Sequence, residues 1–280
     1  MSTVAEHTLL VCEQRSAINQ RFSTELVEMS TAPGDYNKLL NIYTMNMLKK
    51  LKKELHVLAD PHKACILQRF FKTGKGEYGE GDRFLGITVP KQRQLIKNYV
   101  ELELENVSLL LSSSWHEERL SAVLLLVHKY QKTKDSSVRQ KLYDFYLGHA
   151  ASINNWDLVD LSAPQIVGNY LFLQDKTVLH TLVQDKNLWL RRIAIVATLY
   201  FIRNDYYKET IILAQTLLND KEDLIHKACG WMLREIGKRD INTLQSFLDD
   251  NYKKMPRTML RYAIERLPEQ ERKFYLRKDK

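Results

Sequence analysis

The chain has 280 residues, enough to bury a full hydrophobic core as one large domain or as an extended array of repeats. Hydrophobic residues make up 44% of it, while 10 glycines and 6 prolines are too few for an all-β protein with many tight turns. The formal net charge of +8 is typical of proteins that bind polyanions, although ribosome-associated and membrane-surface proteins share it. The composition therefore predicts an all-α protein and makes nucleic acid a candidate partner.

The three cysteines, Cys12, Cys65 and Cys229, are far apart in the sequence. They are odd in number and lack Cys-x-x-Cys spacing, so neither a zinc site nor a disulfide framework is predicted. No apolar run approaches the roughly 20 residues of a membrane-spanning helix, and Leu9–Cys12 lacks the layout of a signal peptide. We expect a cytoplasmic protein with reduced thiols, no membrane association, no metal and no small-molecule cofactor.

The N-terminal part of the chain differs from the rest. Residues 1–38 are polar and rich in Ser and Thr, and they carry a turn-forming run at 32–35. A short helix over 17–29 is compatible with the pattern, but we expect a peripheral extension whose composition allows disorder. Strong helical periodicity begins near Leu39. We therefore predict that residues 39–280 form the folded domain.

The glycine-rich stretch Thr73–Asp82 has the composition of a phosphate-binding loop, but its context does not fit one. Such a loop needs a preceding strand, whereas here a helical pattern precedes it and no Gly-Lys-Ser/Thr follows. Its acidic residues Glu77, Glu80 and Asp82 would also repel a phosphate group. We interpret the stretch as a flexible connection to a helix that Pro90 begins.

Beyond Pro90 the sequence is weakly repetitive. Basic positions that lead into small or apolar helical runs recur every 30 to 40 residues or roughly twice that, which is the period range of HEAT-like repeats. These positions are Arg119, Arg192, Lys227 and Arg257, and the tryptophans Trp115, Trp156, Trp189 and Trp231 keep a similar spacing. The leading fold prediction is therefore an all-α solenoid of HEAT-like helical repeats, with a long concave groove formed by one helix of each pair.

Trp156 and Asp160 are four residues apart, so a helix would stack them on one face. A carboxylate beside an aromatic face suits a reaction in which positive charge develops on a ligand, because both groups attract that charge. In the simpler alternative, Trp156 belongs to the core, and Asp157 or Asp160 is solvated or caps the helix. The pair by itself leaves both interpretations open.

The next two repeats add cations to the same predicted groove. Arg191 and Arg192 lie in one of them, and Lys227, Trp231 and Arg234 form a stripe at helical spacing in the other. Arginine and lysine at such positions suit phosphate groups, which fix register without reading bases. Each cation taken singly is equally compatible with a solvated or salt-bridged position. Their alternation with indoles over three units favours a basic, DNA-binding groove.

Five motifs follow one another in the chain. They are Arg69-Phe-Phe-Lys72-Thr-Gly, Gly79-Glu-Gly-Asp82 with Phe84-Leu-Gly-Ile87, Asn155-Trp-Asp-Leu-Val-Asp160, Leu188-Trp-Leu-Arg-Arg192 and Gly230-Trp-Met-Leu-Arg-Glu235. In residue types and order, over residues about 48 to 270, the chain resembles the AlkD-like family of DNA alkylation repair glycosylases, which are built from HEAT-like repeats. The resemblance implies excision of positively charged alkylated purines, chiefly N3-alkyladenine and N7-alkylguanine, from duplex DNA.

The resemblance also implies roles for individual residues. Asp160 matches the catalytic aspartate, and Trp156 and Trp231 match the aromatic residues that embrace the deoxyribose of the lesion. Arg192 and Arg234 match contacts to the DNA backbone. The predicted DNA-binding set also includes Arg191, Lys227 and Phe70, the last at a position where some relatives have Tyr. Because a groove of this kind needs no partner subunit, we expect a monomer.

Two other classes of protein remain compatible with the sequence. A non-catalytic solenoid that binds damaged or distorted DNA would keep the basic groove but would not need Asp160, whose charge weakens DNA binding. A protein-binding HEAT scaffold would need neither the Trp–Asp pair nor the basic stripe. The sequence therefore favours the glycosylase, in which Asp160 and the flanking tryptophans stabilise an oxocarbenium-like sugar.

Overall fold

The computed structural model describes residues 33–277, and every regular element among them is helical, which confirms the all-α prediction. The first described helix begins at Pro33 and continues through the predicted start near Leu39. Most of the predicted extension, including the short helix over 17–29, lies outside the described residues. No helix in the described part of the chain is both long and apolar enough to span a membrane.

Short connections join most of the helices, as in a repeat protein. In chain order the helices are α1 (Pro33–Val57), α2 (Pro61–Phe70), α3 (Val89–Ile96), α4 (Leu104–Leu111), α5 (His116–Lys132), α6 (Ser136–Gly148), α7 (Trp156–Ser162), α8 (Asn169–Leu171), α9 (Thr177–Leu182), α10 (Leu188–Ala197), α11 (Leu199–Arg203), α12 (Lys208–Thr216), α13 (Asp223–Gly237), α14 (Ile241–Asn251), α15 (Arg257–Ala263) and α16 (Glu269–Leu276). A π-helical turn, Pro164–Gly168, separates α7 from α8.

The chain forms two compact units, Met1–Glu54 and Leu55–Lys280. The described part of the first unit is the larger part of α1, in which Leu48 and Leu51 are buried while Lys49 is exposed. This alternation is the amphipathic pattern that the leucine spacing predicts. All the residues of the site described below belong to the second unit.

Helix α5 lies in the core of the second unit and is buried on all sides from His116 to Val127. Its apolar run Leu120–Val127 packs among α3, α4, α6 and α7, which explains why a helix in this position has no polar face. The first turn of α5 also buries charged residues, including Glu117 and Arg119. Buried charges need partners: Glu117 accepts hydrogen bonds from the backbone amides of residues 85–87, and Arg119 donates to Asp82.

Helical segments that other helices separate in the chain approach closely at two glycines. An added methyl group at Gly168 would overlap the carbonyl oxygen of Ala197, and one at Gly230 would overlap the carbonyl oxygen of Met259. In both places the Cβ of a tyrosine one turn further along also blocks the methyl group. The same backbone contact therefore recurs between the π-helical turn and α10 and between α13 and α15, as expected for a repeated architecture.

Candidate functional site

Helix α7 carries Trp156 and Asp160, and Asn155 fixes where this helix begins. The Asn155 side chain accepts a hydrogen bond from the backbone amide of Trp156 (2.8 Å), which caps the helix. Leu158 and Val159 face the core and are fully buried. Trp156 and Asp160, one turn apart, are therefore presented together on another face.

A groove of about 530 Å³ is lined by side chains from α2, α7, α10, α13 and α15 and from the stretch Thr73–Asp82. The predicted site residues that line it are Phe70, Trp156, Asp160, Arg192, Lys227, Trp231 and Arg234. Arg191 is not among the described side chains that line this groove. The groove thus brings together residues from three successive repeats, including the stripe on α13.

The carboxylate of Asp160 is held by the guanidinium of Arg192. Arg192 Nε donates to Asp160 Oδ1 at 2.9 Å and Nη2 donates to Oδ2 at 2.8 Å, while Nη1 donates to the carbonyl of Leu224 at 2.5 Å. Arg192 is only 5% exposed. Burial raises the pKa of Asp160, and the neighbouring Arg192 opposes this rise. The result is a half-buried carboxylate in a fixed orientation at the wall of the groove.

The adjacent Arg191 forms a similar pair elsewhere. Its guanidinium donates to both carboxylate oxygens of Asp220, at 2.7 and 3.3 Å. It also donates to the backbone carbonyls of Asp185 and Lys186, both at 2.9 Å. All these partners lie in the connections that flank α10 and α13, so Arg191 ties two repeats together outside the groove lining.

The cations on α13 also have acidic partners. Lys227 pairs with Asp223 at 2.8 Å, and Arg234 pairs with Glu265. Trp231 lies between these two cations on the same face of α13. The charges of the groove are thus largely compensated within the protein, and a phosphate group has to compete with carboxylates for these cations.

Trp156 is held by aromatic rings. Its indole stacks on Phe71, with 5.1 Å between the ring centroids and 16° between the planes, and Phe70 contacts it edge-on. Phe71 in turn lies 5.0 Å from Phe84, which stacks on the imidazole of His116 at 4.5 Å. Phe70 itself is 61% exposed, so its ring remains accessible to a ligand.

A buried charged network fixes the residues beside Trp156. Asp82 accepts hydrogen bonds from Arg119 (2.6 Å) and Asn155 (3.1 Å), and His116 bonds to Asp157 at 2.8 Å. Burial by itself lowers the pKa of His116, but the carboxylates of Asp157 and Asp82 outweigh burial and raise this pKa to about 9. His116 is therefore a cation at neutral pH that locks the start of α7 to the end of the stretch Thr73–Asp82.

Sequence reasoning missed several of these supporting residues. His116, Asp82 and Tyr78, which lines the groove, lie far along the chain from Trp156, so their spacing gives no local signal. The stretch Thr73–Asp82 was expected to be a flexible connection because of its glycines. Its acidic residues instead accept hydrogen bonds from the chain itself, and Asp82 is tied into the core network.

A second cavity, of about 450 Å³, shares Phe70, Trp156 and Asp160 with the groove, and its walls are almost entirely apolar. Ile66 and Leu120 contribute to these walls. Trp156 and Asp160 therefore lie between an apolar cavity and a charged groove. On the side of the cavity, the surroundings of the Asp160 carboxylate are low in polarity.

Three solved structures resemble the fold. A "Predicted DNA alkylation repair enzyme from Enterococcus faecalis" matches with a TM-score of 0.58 and 18% identity, over 75% of this chain and 97% of that chain. AlkD2 from Streptococcus mutans matches with a TM-score of 0.49 and 16% identity, over 80% and 98% of the two chains. The protein smu.31 from Streptococcus mutans UA159 matches with 0.46 and 16%, over 78% and 96%. At these identities the first match supports the fold alone, and the other two add no argument.

The sequence comparison assigns the family. No curated protein matches the chain. The model of a protein family described as "DNA alkylation repair enzyme" matches residues 51–267, which include every predicted site residue. Because this match covers most of the chain, the protein belongs to the family of DNA alkylation repair enzymes.

Proposed function

We propose that the protein is a DNA glycosylase that hydrolyses the N-glycosidic bond of cationic alkylated purines, chiefly N3-alkyladenine and N7-alkylguanine, in duplex DNA. The observation that carries this proposal is the half-buried carboxylate of Asp160, which Arg192 holds by both oxygens in a groove that Trp156 and Trp231 also line. A fixed negative charge in a groove lined by two indoles suits a sugar that becomes positively charged in the transition state.

The chemistry demands little else of the protein. An N3- or N7-alkylated purine already carries a positive charge, so it leaves without protonation by an acid. The remaining task is to stabilise the oxocarbenium-like sugar and to direct a water molecule to C1′, which a carboxylate can do. Neutral lesions need an acid or base-specific contacts and should be poor substrates. The proposal requires neither a metal nor a cofactor, and one chain supplies all the groups.

The cations divide into two proposed roles. Burial of Arg192 against Asp160 favours a positioning role for its guanidinium over a direct phosphate contact. Lys227 and Arg234 are more exposed, and we assign them to phosphate groups, which would replace Asp223 and Glu265 as their partners. Arg191 would have to leave Asp220 to reach DNA.

One observation favours a second candidate, a non-catalytic protein that binds damaged or distorted DNA. Both oxygens of Asp160 already accept hydrogen bonds from Arg192, as they would in a purely structural ion pair. In that case the groove would hold DNA by shape and phosphate contacts without breaking a bond.

Release of free base from duplex DNA that contains N7-methylguanine separates the two candidates. We expect release above the spontaneous rate by the intact protein, and a loss of about a hundredfold or more in Asp160→Asn because the negative charge beside the sugar is gone. Binding of the duplex should persist in this variant. Absence of release by the intact protein, with salt-sensitive binding retained, would favour the non-catalytic candidate.

Asp220→Asn is the matched control for this experiment. It removes a carboxylate that also pairs with an arginine through both oxygens, but outside the groove lining. We expect this variant to lose stability without losing base release at saturating DNA. Comparable loss of release in both variants would mean that a damaged fold, rather than Asp160, explains the effect.

A further inference from the structure

The stretch Thr73–Asp82, between α2 and α3, is held in shape by its own acidic side chains. The Glu77 carboxylate accepts a hydrogen bond from the Gly74 amide at 2.9 Å, and the Glu80 carboxylate accepts one from the Gly76 amide at 2.8 Å. These carboxylates satisfy the backbone amides that a phosphate-binding loop would offer to its ligand. The stretch is therefore an ordered loop, which holds its side chains in fixed directions.

Gly79 anchors this element against the end of α2. Its amide donates to the carbonyl of Lys72 at 3.1 Å, and a methyl group at this position would overlap the carbonyl oxygen of Phe71. Only glycine allows so close an approach. The preceding residue, Tyr78, is thereby directed into the groove.

Tyr78 lines the groove together with Trp156, Asp160 and Lys227. Its ring contacts Trp189 edge-on, with 6.2 Å between the ring centroids. The ring is thus fixed by packing, while the hydroxyl points toward the groups that we assign to DNA.

The hydroxyl of Tyr78 is a weakly used donor. It donates to the backbone carbonyl of Phe70 at 3.4 Å, which is long for an O–H···O hydrogen bond. Burial raises the pKa of Tyr78, against opposing effects of Trp156 and Lys227, so the phenol keeps its proton at neutral pH. A charged phosphate oxygen is a stronger acceptor than this distant carbonyl.

We propose that Tyr78 is a DNA-contacting residue, whose hydroxyl turns from the Phe70 carbonyl to a non-bridging phosphate oxygen of the strand that crosses Trp156 and Lys227. This inference rests on the proposed function because it requires duplex DNA in the groove. The contact positions the strand over Asp160 and reads no base. Since the phenol is neutral, its contact with a phosphate group releases no counterion, so it raises the affinity for DNA without increasing the salt dependence of binding.

Tyr78→Phe tests the contact because it removes only the hydroxyl and keeps the ring. We expect the dissociation constant for an undamaged duplex to rise by roughly tenfold to a hundredfold, the loss expected for one hydrogen bond to a charged group. In Tyr78→Phe, the slope of log affinity against log salt concentration should not change. In Lys227→Ala, the magnitude of this slope should fall by about one, because one fewer counterion is released on binding. The melting temperature should stay as in the intact protein.

Tyr207→Phe is the matched control, since it removes a hydroxyl that donates to Asp205 at 2.9 Å on an exposed part of the chain. Its dissociation constant for DNA should not change. Duplexes with one neutral methylphosphonate at successive positions identify the phosphate. At one position the methylphosphonate should weaken binding by the intact protein but add no further loss in Tyr78→Phe.

The outcomes separate this inference from the proposed function. Weaker binding by Tyr78→Phe, with no base release by any variant, would keep the contact and remove the glycosylase. An unchanged dissociation constant in Tyr78→Phe would overturn the contact, whether or not base is released. The same holds if the losses from Tyr78→Phe and from the methylphosphonate add at every position of the duplex. A fall in the saturating rate with unchanged affinity would mean that Tyr78 only braces Trp156, which also overturns the proposal. Absence of DNA binding by the intact protein would overturn both.

Discussion

Two neighbouring arginines on α10 make nearly the same interaction in different surroundings. Arg191 pairs with Asp220 through both carboxylate oxygens, and Arg192 pairs in the same manner with Asp160. The first pair joins two connections outside the groove lining. The second lies in the groove, beside Trp156 and an apolar cavity. One residue of difference along the helix therefore separates a pair that holds repeats together from a pair that holds the carboxylate to which we assign the reaction.

The comparison teaches that the pairing itself is no sign of catalysis. Burial raises the pKa of Asp160, which lines both the groove and the apolar cavity, whereas Asp220 lines neither. In the proposed reaction, the aromatic and apolar surroundings of Asp160, rather than its arginine, strengthen the attraction between its charge and a positively charged sugar. Variants of the Arg192–Asp160 pair therefore have the Arg191–Asp220 pair as their reference.

The largest effect is expected when the arginine of each pair is removed. In Arg192→Ala, the Asp160 carboxylate loses the group that orients it, so base release at saturating DNA should fall by about a hundredfold. Arg191→Ala should keep the rate of the intact protein. Both variants leave a carboxylate unpaired, so Arg191→Ala should lose about 3–5 kcal/mol in free energy of unfolding and Arg192→Ala somewhat less, because the Asp160 side chain is 18% exposed and that of Asp220 only 6%. Single-turnover assays and urea unfolding measure the two quantities separately.

Arg192→Lys separates orientation from charge in this comparison. Lysine keeps the positive charge but cannot donate to two carboxylate oxygens in a fixed fork. We expect a stability closer to that of the intact protein than Arg192→Ala shows, with base release still strongly reduced. Full activity in Arg192→Lys would mean that the charge suffices and that the two-point geometry has no catalytic role.

When the rate of base release is measured against pH, its fall at acidic pH should follow the protonation of Asp160 rather than of Asp220. Burial raises the pKa of Asp160 above its ordinary value of 3.8, so on acidification this carboxylate takes up its proton earlier than an exposed aspartate does. Base release needs the ionised form, so below the midpoint the rate should fall by about tenfold per pH unit. Saturating rates, corrected for spontaneous depurination, give the midpoint.

The two pairs should respond differently in the same pH experiment. Asp220→Asn should leave the midpoint in place, and Arg192→Lys should move it to higher pH because the effect that opposes burial is weakened. A midpoint at or below that of an ordinary aspartate would contradict the assigned role of Asp160.

The smallest effect concerns the exposed pairs of the groove. Asp223→Asn removes the acidic partner of Lys227, and Glu265→Gln removes the nearer of the two carboxylates that pair with Arg234, the other being Glu235 at 3.8 Å. Each variant should tighten binding of undamaged duplex DNA by about threefold. Glu269→Gln is the charge-matched control, because it frees Lys273 from an exposed pair outside the groove lining. Equal tightening in all three variants would mean that net charge, not the local release of a cation, controls affinity. Binding isotherms at several salt concentrations decide this.

Local helical spacing in the sequence predicts the elements of the site well. The four-residue spacing of Trp156 and Asp160 and the stripe from Lys227 to Arg234 are properties of single helices, and the structure places all of them in one groove. The repeat pattern likewise predicts the all-α architecture, because each repeat buries its apolar face against its neighbours.

Partnerships between distant residues could not be predicted in this way. The sequence suggests phosphate contacts for both Arg191 and Arg192, but no local pattern reveals which carboxylates from other repeats bind them. Tyr78 escapes notice because it stands in a glycine-rich stretch, and His116 because its partners are more than thirty residues away. Such contacts depend on how the repeats stack, which periodicity alone does not specify.

The glycine contacts between these helical segments have a consequence for the groove. Gly168 and Gly230 bring helix backbones together, so main-chain atoms rather than side chains set the distance between the helices at these two points. Trp231 directly follows Gly230, and its place relative to Tyr262 on α15 depends on that contact. A residue larger than glycine at either position would push the two helices apart, and at position 230 it would also displace an indole of the groove lining.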